Sequence, residues 1–196
     1  MILLTAIAAG TLAGWGYARW TGKTWQPPVF RATWLVALGF LPQLLAFYLP
    51  STRRLLPDGL ASTGLIVSQL MLLAFTFVNL RLPGMPVLML GLACNLAVIL
   101  ANGGFMPLPV EAAARLVDRS VLESLTVGAR ISSASKDVLL PESEILLPWL
   151  ADRFVVPPPS PYRFAFSFGD VLIAAGTFWL LFVGRPVTRT NESGDS

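Results

Sequence analysis

Long apolar stretches separated by short polar connections dominate the chain. An α-helix needs about 17 to 25 largely apolar residues to cross the roughly 30 Å hydrocarbon core of a bilayer. Five stretches meet or approach this length, at residues 1–18, 32–49, 60–80, 85–101 and 168–184. The pattern predicts an all-α integral membrane protein, a single membrane domain over residues 1–196 with five transmembrane helices.

Composition supports this prediction and excludes several other classes. Hydrophobic residues make up 55% of the 196 residues and charged residues only 13%, and the mean hydropathy is +0.67. Soluble domains have about 25% charged residues, so these charges are too few to cover a soluble globule, and a disordered chain is excluded. The net charge is +3, but the basic residues form no run. We therefore expect no nucleic acid partner, since such binding needs a clustered basic surface.

The distribution of Lys and Arg predicts the orientation in the membrane. Six of these residues lie in the first and third connections and in the tail 185–196, against two in the second connection: Arg19, Lys23, Arg31, Arg81, Arg185 and Arg189, against Arg53 and Arg54. Basic residues favour the cytoplasmic side. We therefore expect the N-terminus outside, the C-terminus inside, and the long segment 102–167 outside.

Mixed charge sets residues 102–167 apart from the first half of the chain. This segment contains seven acidic and six basic residues, whereas residues 1–101 contain a single acid, Asp58. Apolar residues recur at helical spacing from Val110 to Leu125, which predicts one amphipathic helix. Such a helix either lies on the membrane surface or covers the ends of the spanning helices.

Two further elements are expected in this outward segment. Pro141 followed by Glu142 and Glu144 is typical of a helix N-terminus. It leads into residues 145–150, which are too few to span and contain Pro148, so we expect an interfacial or partly re-entrant helix. The proline-rich residues 157–161 predict a stiff extended spacer, or a segment that a proline-binding partner recognises.

The residues that follow the fourth apolar stretch form the first candidate site. They are Asn102, Gly103, Gly104, Phe105, Met106 and Pro107. Asn or Gly at this place can end a helix in the left-handed conformation, and a following proline prevents continuation. Alternatively, the backbone amides of consecutive glycines could bind an anion or a lipid head group.

A second candidate lies where the fifth apolar stretch begins. Ser167 and Asp170 have the spacing of a capping box, in which each side chain bonds the backbone of the other residue. The alternative is a substrate or ion role for Asp170, since it is the one ionisable group near a spanning segment.

Small and amide side chains within the apolar stretches predict helix contacts. Gly10 and Gly14 form a GxxxG pattern that allows close approach of another helix of this chain or of a second copy. Gln43, Asn79 and Asn95 either bond between helices or line a polar pathway.

The residue inventory argues against catalysis and against a metal site. The chain has no histidine, which excludes Ser-His and HExxH chemistry, and Cys94 is its single cysteine, which excludes an internal disulfide. A Ser-Lys pair is present at Ser135 and Lys136, but sequence neighbours seldom face each other. We expect no metal, no cofactor and no catalytic residue.

Several strings together identify a family resemblance. They are Asn102 to Pro107, then Ser135-Lys136 with Leu139 and Leu140, then Leu150-Ala151-Asp152, and then Ser167 to Asp170. The chain resembles a bacterial family of small multi-pass membrane proteins catalogued as domain of unknown function 5317. The resemblance implies a bacterial inner-membrane location and implies no activity or substrate. The resemblance also implies a histidine soon after the Ser-Lys pair, where this chain has Asp137.

These observations favour a non-enzymatic accessory or scaffold protein that binds a membrane lipid or a partner membrane protein through its outward face. The binding candidates are Asn102, Gly103, Gly104, Met106, Lys136, Asp152 and Asp170. The alternatives are a transporter or channel subunit with a polar path near Asp170, and an enzyme acting on a lipid-linked substrate.

Overall fold

The computed structural model describes residues 2–156 and 163–187, and in this part of the chain the protein is mostly helical. The helices are α1 (Ile2–Trp20), α2 (Trp34–Gln43), α3 (Pro50–Arg53), α4 (Asp58–Val78), α5 (Met85–Ala101), α6 (Val110–Leu116), α7 (Arg119–Ser124) and α8 (Phe168–Val183). The strands are β1 (Thr24–Gln26), β2 (Met106–Pro109), β3 (Asp137–Leu140), β4 (Phe154–Val155), β5 (Ala165–Phe166) and β6 (Arg185–Val187).

The five predicted apolar helices exist with boundaries within a few residues of those expected. The first two correspond to α1 and to α2, which continues as a π-helix over Leu44–Tyr48 after Pro42. The other three correspond to α4, α5 and α8. A proline removes one backbone donor from the helix, which explains why the hydrogen-bond pattern changes at this place.

Length and composition directly support one span rather than five. Among the described helices, α4 alone is long and apolar enough to cross a bilayer, with 21 residues and a hydropathy of 1.8. Three other apolar helices are shorter: Trp34–Tyr48, Met85–Ala101 and Phe168–Val183.

The apolar helices pack side by side in the order α1, α8, α5, α4, α2. Glycines make these contacts close. A Cβ on Gly176 of α8 would lie 2.6 Å from the Leu88 backbone nitrogen of α5, and a Cβ on Gly10 would lie 2.8 Å from the Phe178 carbonyl oxygen. The predicted stripe of Gly10 and Gly14 therefore faces α8 of the same chain.

Connections gather at the two ends of this bundle. At one end β1 pairs antiparallel with β6, and Asn79 exchanges hydrogen bonds with the backbone of Arg31 at 2.8 and 2.9 Å. At the other end Arg130 forms an ion pair of 2.7 Å with Asp58. Residues 102–156 and 163–167 thus lie at the same end as the second connection.

Strand β2 organises the segment that follows α5. It pairs in parallel with β3, with Met106 opposite Asp137 and Pro109 opposite Leu140. All four of its residues are buried. Two apolar clusters lie around it, one against α4 and α5 and one against α6. The short strands β4 and β5 pair antiparallel nearby.

The prediction of a single amphipathic helix from Val110 to Leu125 is wrong. Val117 and Asp118 are extended, with ψ of 159° and 155°, and divide the segment into α6 and α7. Asp118 occupies the N-cap position of α7, although its side chain makes no capping hydrogen bond there. The apolar residues keep their helical spacing across this break, so periodicity alone could not predict that the helix ends there.

The helix expected at residues 142–150 is also wrong. The chain forms two 3₁₀ turns, Glu142–Glu144 and Pro148–Leu150, separated by residues 145–147, of which Leu147 is in the left-handed conformation with φ of +58°. The residue before a proline disfavours the right-handed helical region, which explains the interruption. The predicted spacer 157–161 lies outside the described residues, as do residues 188–196 of the predicted tail.

Candidate functional site

Helices α5 and α8 meet at a polar contact at the end of the bundle nearest residues 102–156. Ser167 is the N-cap of α8: its Oγ accepts a hydrogen bond from the Asp170 backbone nitrogen at 3.0 Å, and Asp170 Oδ2 accepts one from the Ser167 nitrogen at 3.1 Å. The predicted capping box is therefore confirmed. Asn95 on α5 completes the contact, accepting from Ser167 Oγ at 3.0 Å and donating to Asp170 Oδ1 at 3.1 Å.

Strand β2 brings Lys136 and Asp152 together from distant parts of the sequence. The Met106 nitrogen donates to the Lys136 carbonyl at 3.0 Å, and the Asp152 nitrogen donates to the Pro107 carbonyl at 3.1 Å. Their side chains form an ion pair, with Lys136 Nζ 3.5 Å from Asp152 Oδ2. The Lys136 side chain is 38% exposed and that of Asp152 only 3%, so the carboxylate is the buried partner.

Negative charge exceeds positive charge around this ion pair. Burial, and then the carboxylates of Asp137 and Asp170, raise the pKa of Asp152 to about 7, although Lys136 lowers it. Burial disfavours the charged form of Lys136, but attraction to Asp152, Asp137 and Asp170 outweighs burial and raises its pKa. Burial acts in opposite directions on the two pKa values, whereas the carboxylates of Asp137 and Asp170 raise both, since surplus negative charge favours protonation of every group nearby.

Two carboxylate oxygens of this cluster are buried without a hydrogen-bond partner among the described residues. They are Asp137 Oδ1 and Asp152 Oδ1. The other Asp137 oxygen accepts from Ser135 Oγ at 2.9 Å, in a turn where the Ser135 oxygen also accepts from the Asp137 nitrogen. A buried acceptor without a donor is costly, so each free oxygen favours a donor supplied from outside the chain.

A cleft of about 340 Å³ lies beside these groups. Its polar lining includes Ser135, Lys136, Asp137, Asp152 and Arg163. Its apolar lining includes Leu108, Leu116, Leu125, Ile131 and Phe164. Apolar walls with a few convergent polar groups are typical of a small-molecule site. The described residues contain no group of three or more potential metal ligands.

The sequence candidates fall into two groups in the structure. Lys136 and Asp152 line the cleft, and Asp170 lies close enough to act electrostatically on both. The candidates from 102 to 106 do not line it. Asn102 donates to the Leu146 carbonyl at 2.8 Å and accepts from the Leu146 nitrogen at 2.9 Å.

The glycines and methionine after Asn102 have local structural roles. Gly103 and Gly104 adopt φ of +78° and +91°, which glycine alone adopts at no steric cost. A Cβ on Gly104 would contact Ser62, whereas nothing lies within 4 Å of one on Gly103. Met106 is fully buried in β2. The string thus ends α5 and starts the buried strand.

Sequence reasoning did not select Asp137 or Arg163 as binding candidates. Asp137 follows Ser135 by two residues, a spacing at which a serine hydroxyl commonly bonds the backbone, and this was the available signal. Arg163 adjoins the proline-rich stretch, and no local pattern marks it. Its place in the cleft depends on the pairing of β4 with β5.

Searches of the curated proteins and of the solved structures find no significant match to this chain. A sequence family does match. Residues 28–182 fit the Family of unknown function (DUF5317), a range that includes every described element from α2 to the greater part of α8. This match confirms the resemblance given by the sequence motifs, and the chain belongs to this family.

Proposed function

We propose that this chain is a multi-pass membrane protein whose five apolar helices α1, α2, α4, α5 and α8 all cross the bilayer. The support comes from which side chains face outwards. Only 28% of the most apolar stretch of α4 is buried, whereas the core helix of a soluble protein is mostly buried. Large apolar residues such as Leu70, Phe77 and Leu90 are more than half exposed. An exposed apolar surface of this kind supports contact with lipid.

The interior of the bundle has the complementary composition. The residues of α1 that are buried are Ala6, Gly10, Gly14 and Ala18, and those of α4 include Ser68, Gln69 and Thr76. Small and hydroxyl residues at helix contacts with large apolar residues outside are typical of membrane bundles, because lipid provides no hydrophobic drive between helices. Short helices are compatible with spanning through local thinning of the bilayer.

Charge supports an orientation with the N-terminus outside. Residues 19–33, 79–84 and 184–187, which share one end of the bundle, contain five basic and no acidic side chains: Arg19, Lys23, Arg31, Arg81 and Arg185. This end is the cytoplasmic one under the positive-inside rule. The segment 102–167 then lies outside, at the surface of a bacterial inner membrane.

Labelling of single cysteines tests this topology. In a Cys94→Ser background, Ala134→Cys and Thr21→Cys place thiols at opposite ends of the bundle, both at exposed positions. We expect a membrane-impermeant maleimide to label position 134 in intact spheroplasts and position 21 only after lysis. Equal labelling of both positions before lysis would contradict the orientation, and recovery of the protein in the soluble fraction would contradict membrane residence.

We further propose that the outward segment binds an amphiphilic ligand in the cleft beside Lys136 and Asp152, and that the protein acts as a non-enzymatic accessory protein. One observation carries this proposal: the free Oδ1 of Asp152, 3% exposed as a side chain, beside an apolar-walled cleft. A membrane lipid supplies both an apolar part and a donor-bearing head. A partner membrane protein is the alternative occupant.

The transporter and enzyme alternatives have less support. The amides that would form a polar path are each bonded within the bundle: Gln43 to Ser68, Asn79 to Arg31, and Asn95 to Ser167 and Asp170. These are stabilising contacts between elements. For an enzyme, the cleft offers a lysine whose raised pKa keeps it protonated and therefore a poor nucleophile.

Lipid retention tests the binding proposal. Protein purified in a mild detergent is analysed by native mass spectrometry, with Asp152→Ala compared with Glu123→Gln. Glu123 is the matched control because it forms an exposed ion pair with Arg119, outside the cleft. We expect wild type and Glu123→Gln to retain lipid and Asp152→Ala to lose it. Retention in all three, or in none, would contradict the proposal.

A further inference from the structure

The cleft is lined by equal numbers of acidic and basic side chains. Asp137 and Asp152 supply the negative groups, and Lys136 and Arg163 supply the positive ones. Asp170 adds a third carboxylate that acts on the cluster without lining the cleft. An anionic ligand in the cleft would therefore meet two carboxylates, and a simple cation would meet two basic groups. A ligand with one charge of each sign satisfies both.

The free oxygens define the positive part of the ligand. Asp137 Oδ1 and Asp152 Oδ1 each have an unused acceptor position, while the second oxygen of each carboxylate already has Ser135 or Lys136 as its partner. A primary ammonium has three N–H donors and can serve two acceptors at once. A quaternary ammonium has no N–H donor and would leave both oxygens unpartnered.

The basic groups define the negative part. A phosphate oxygen accepts from both lysine and arginine, and the arginine fork matches it in two parallel hydrogen bonds. Arg163 is exposed at the cleft, and Lys136 is 38% exposed, so both are accessible to a ligand. The apolar side chains of Leu116, Leu125 and Phe164 line the same cleft.

We infer that the cleft recognises a phosphoethanolamine group, with the primary ammonium bound by Asp137 and Asp152 and the phosphate bound by Lys136 and Arg163. This inference rests on the proposed function of the cleft as an amphiphile site and adds the chemistry of the head group. The same head group occurs on a zwitterionic lipid and as free phosphoethanolamine, and the test separates these two sources.

The test uses the full-length protein in detergent and four probes. They are short-chain phosphatidylethanolamine, phosphatidylcholine and phosphatidylglycerol, and free phosphoethanolamine, each titrated and followed by calorimetry. We expect phosphatidylethanolamine to bind at least about tenfold more tightly than phosphatidylcholine, since one charge-assisted hydrogen bond contributes roughly that factor. Asp152→Asn and Asp137→Asn should each remove the preference, and Glu123→Gln should keep it.

The outcomes distinguish this inference from the proposed function. Equal binding of the three lipids, still sensitive to Asp152→Asn, would overturn the head-group inference and leave the amphiphile site standing. No lipid binding would overturn both, unless free phosphoethanolamine binds, which supports the head-group chemistry and removes the membrane source. If Asp152→Asn fails to fold, the partly exposed Asp137→Asn decides, and an unchanged preference in it overturns the inference.

Discussion

The Asn95 side-chain amide donates a hydrogen bond of 3.1 Å to Asp170 Oδ1, across the contact between α5 and α8. The same Asn95 accepts from the buried Ser167 hydroxyl. The capping box therefore caps α8 and also contributes to the packing of α5 against α8. It also holds the Asp170 carboxylate close to Lys136 and Asp152, where it contributes to their electrostatics.

Replacing Asn95 tests this contact. We expect Asn95→Leu to lower the free energy of unfolding by about 1 to 3 kcal/mol, because it leaves the buried Ser167 hydroxyl and the half-buried Asp170 carboxylate with fewer partners. Thermal unfolding in detergent measures the change. Cys94→Ala, next to it on the same helix and free of any disulfide, should have a much smaller effect. Equal effects of the two would contradict a specific role for the amide.

The close contact between α8 and α5 at Gly176 gives a second prediction. Gly176→Ala should destabilise the bundle by several kcal/mol, since its Cβ would lie 2.6 Å from the Leu88 nitrogen and the helices would have to separate. Gly16→Ala is the control, because nothing lies within 4 Å of a Cβ there, and alanine is the better helix former by up to about 1 kcal/mol. In chemical denaturation, we expect the free energy of unfolding to fall in Gly176→Ala and to rise in Gly16→Ala. A lower free energy of unfolding in both variants would refute the assigned packing.

Stability should depend on pH through Asp152. Its pKa rises from the ordinary 3.8 to about 7 in the folded protein, so the folded state binds the proton more tightly than the unfolded state. This contribution to stability is complete below about pH 4 and is lost as pH rises through 7. Lys136 remains charged in both states over this range and contributes no slope.

The measurement is the unfolding midpoint between pH 5 and 8. We expect it to fall with rising pH in wild type and to fall less in Asp152→Asn, with Glu123→Gln resembling wild type. Binding of a ligand ammonium has the opposite dependence, since it needs the carboxylate and should tighten as pH rises. A wild-type slope that Asp152→Asn does not change would disprove the assignment to this group.

Asn102 gives a prediction about the loop at Leu146. Asn102→Ala removes both hydrogen bonds to the Leu146 backbone, so the Leu146 amide should lose protection in hydrogen exchange by about tenfold or more. The exposed apolar side chains Leu146, Leu147 and Trp149 would then lose their fixed position. Amides in the middle of α5 provide the internal reference. Unchanged protection at Leu146 would show that another contact holds the loop.

The sequence predicted the apolar helices well, because length and hydropathy are local properties. It also predicted the cap at Ser167, since both partners of a capping box lie within one turn. It failed where the outcome depends on distant residues. The pairing of β2 with β3 joins residues about 30 positions apart, and this pairing brings Lys136 to Asp152. The hydrogen bonds between the Asn102 side chain and the Leu146 backbone join residues 44 positions apart, and no local sequence pattern predicts them.

The position of α8 between α1 and α5 has a consequence for how the protein is made. Helix α1 is synthesised first, yet its main partner is α8, which leaves the ribosome more than 140 residues later. Until then the face of α1 that contains Gly10 and Gly14 lacks the helix that covers it in the folded protein. Chains that stop before residue 168 would expose this face together with the face of α5 that contacts α8, so loss of α8 would remove the main partner of both helices.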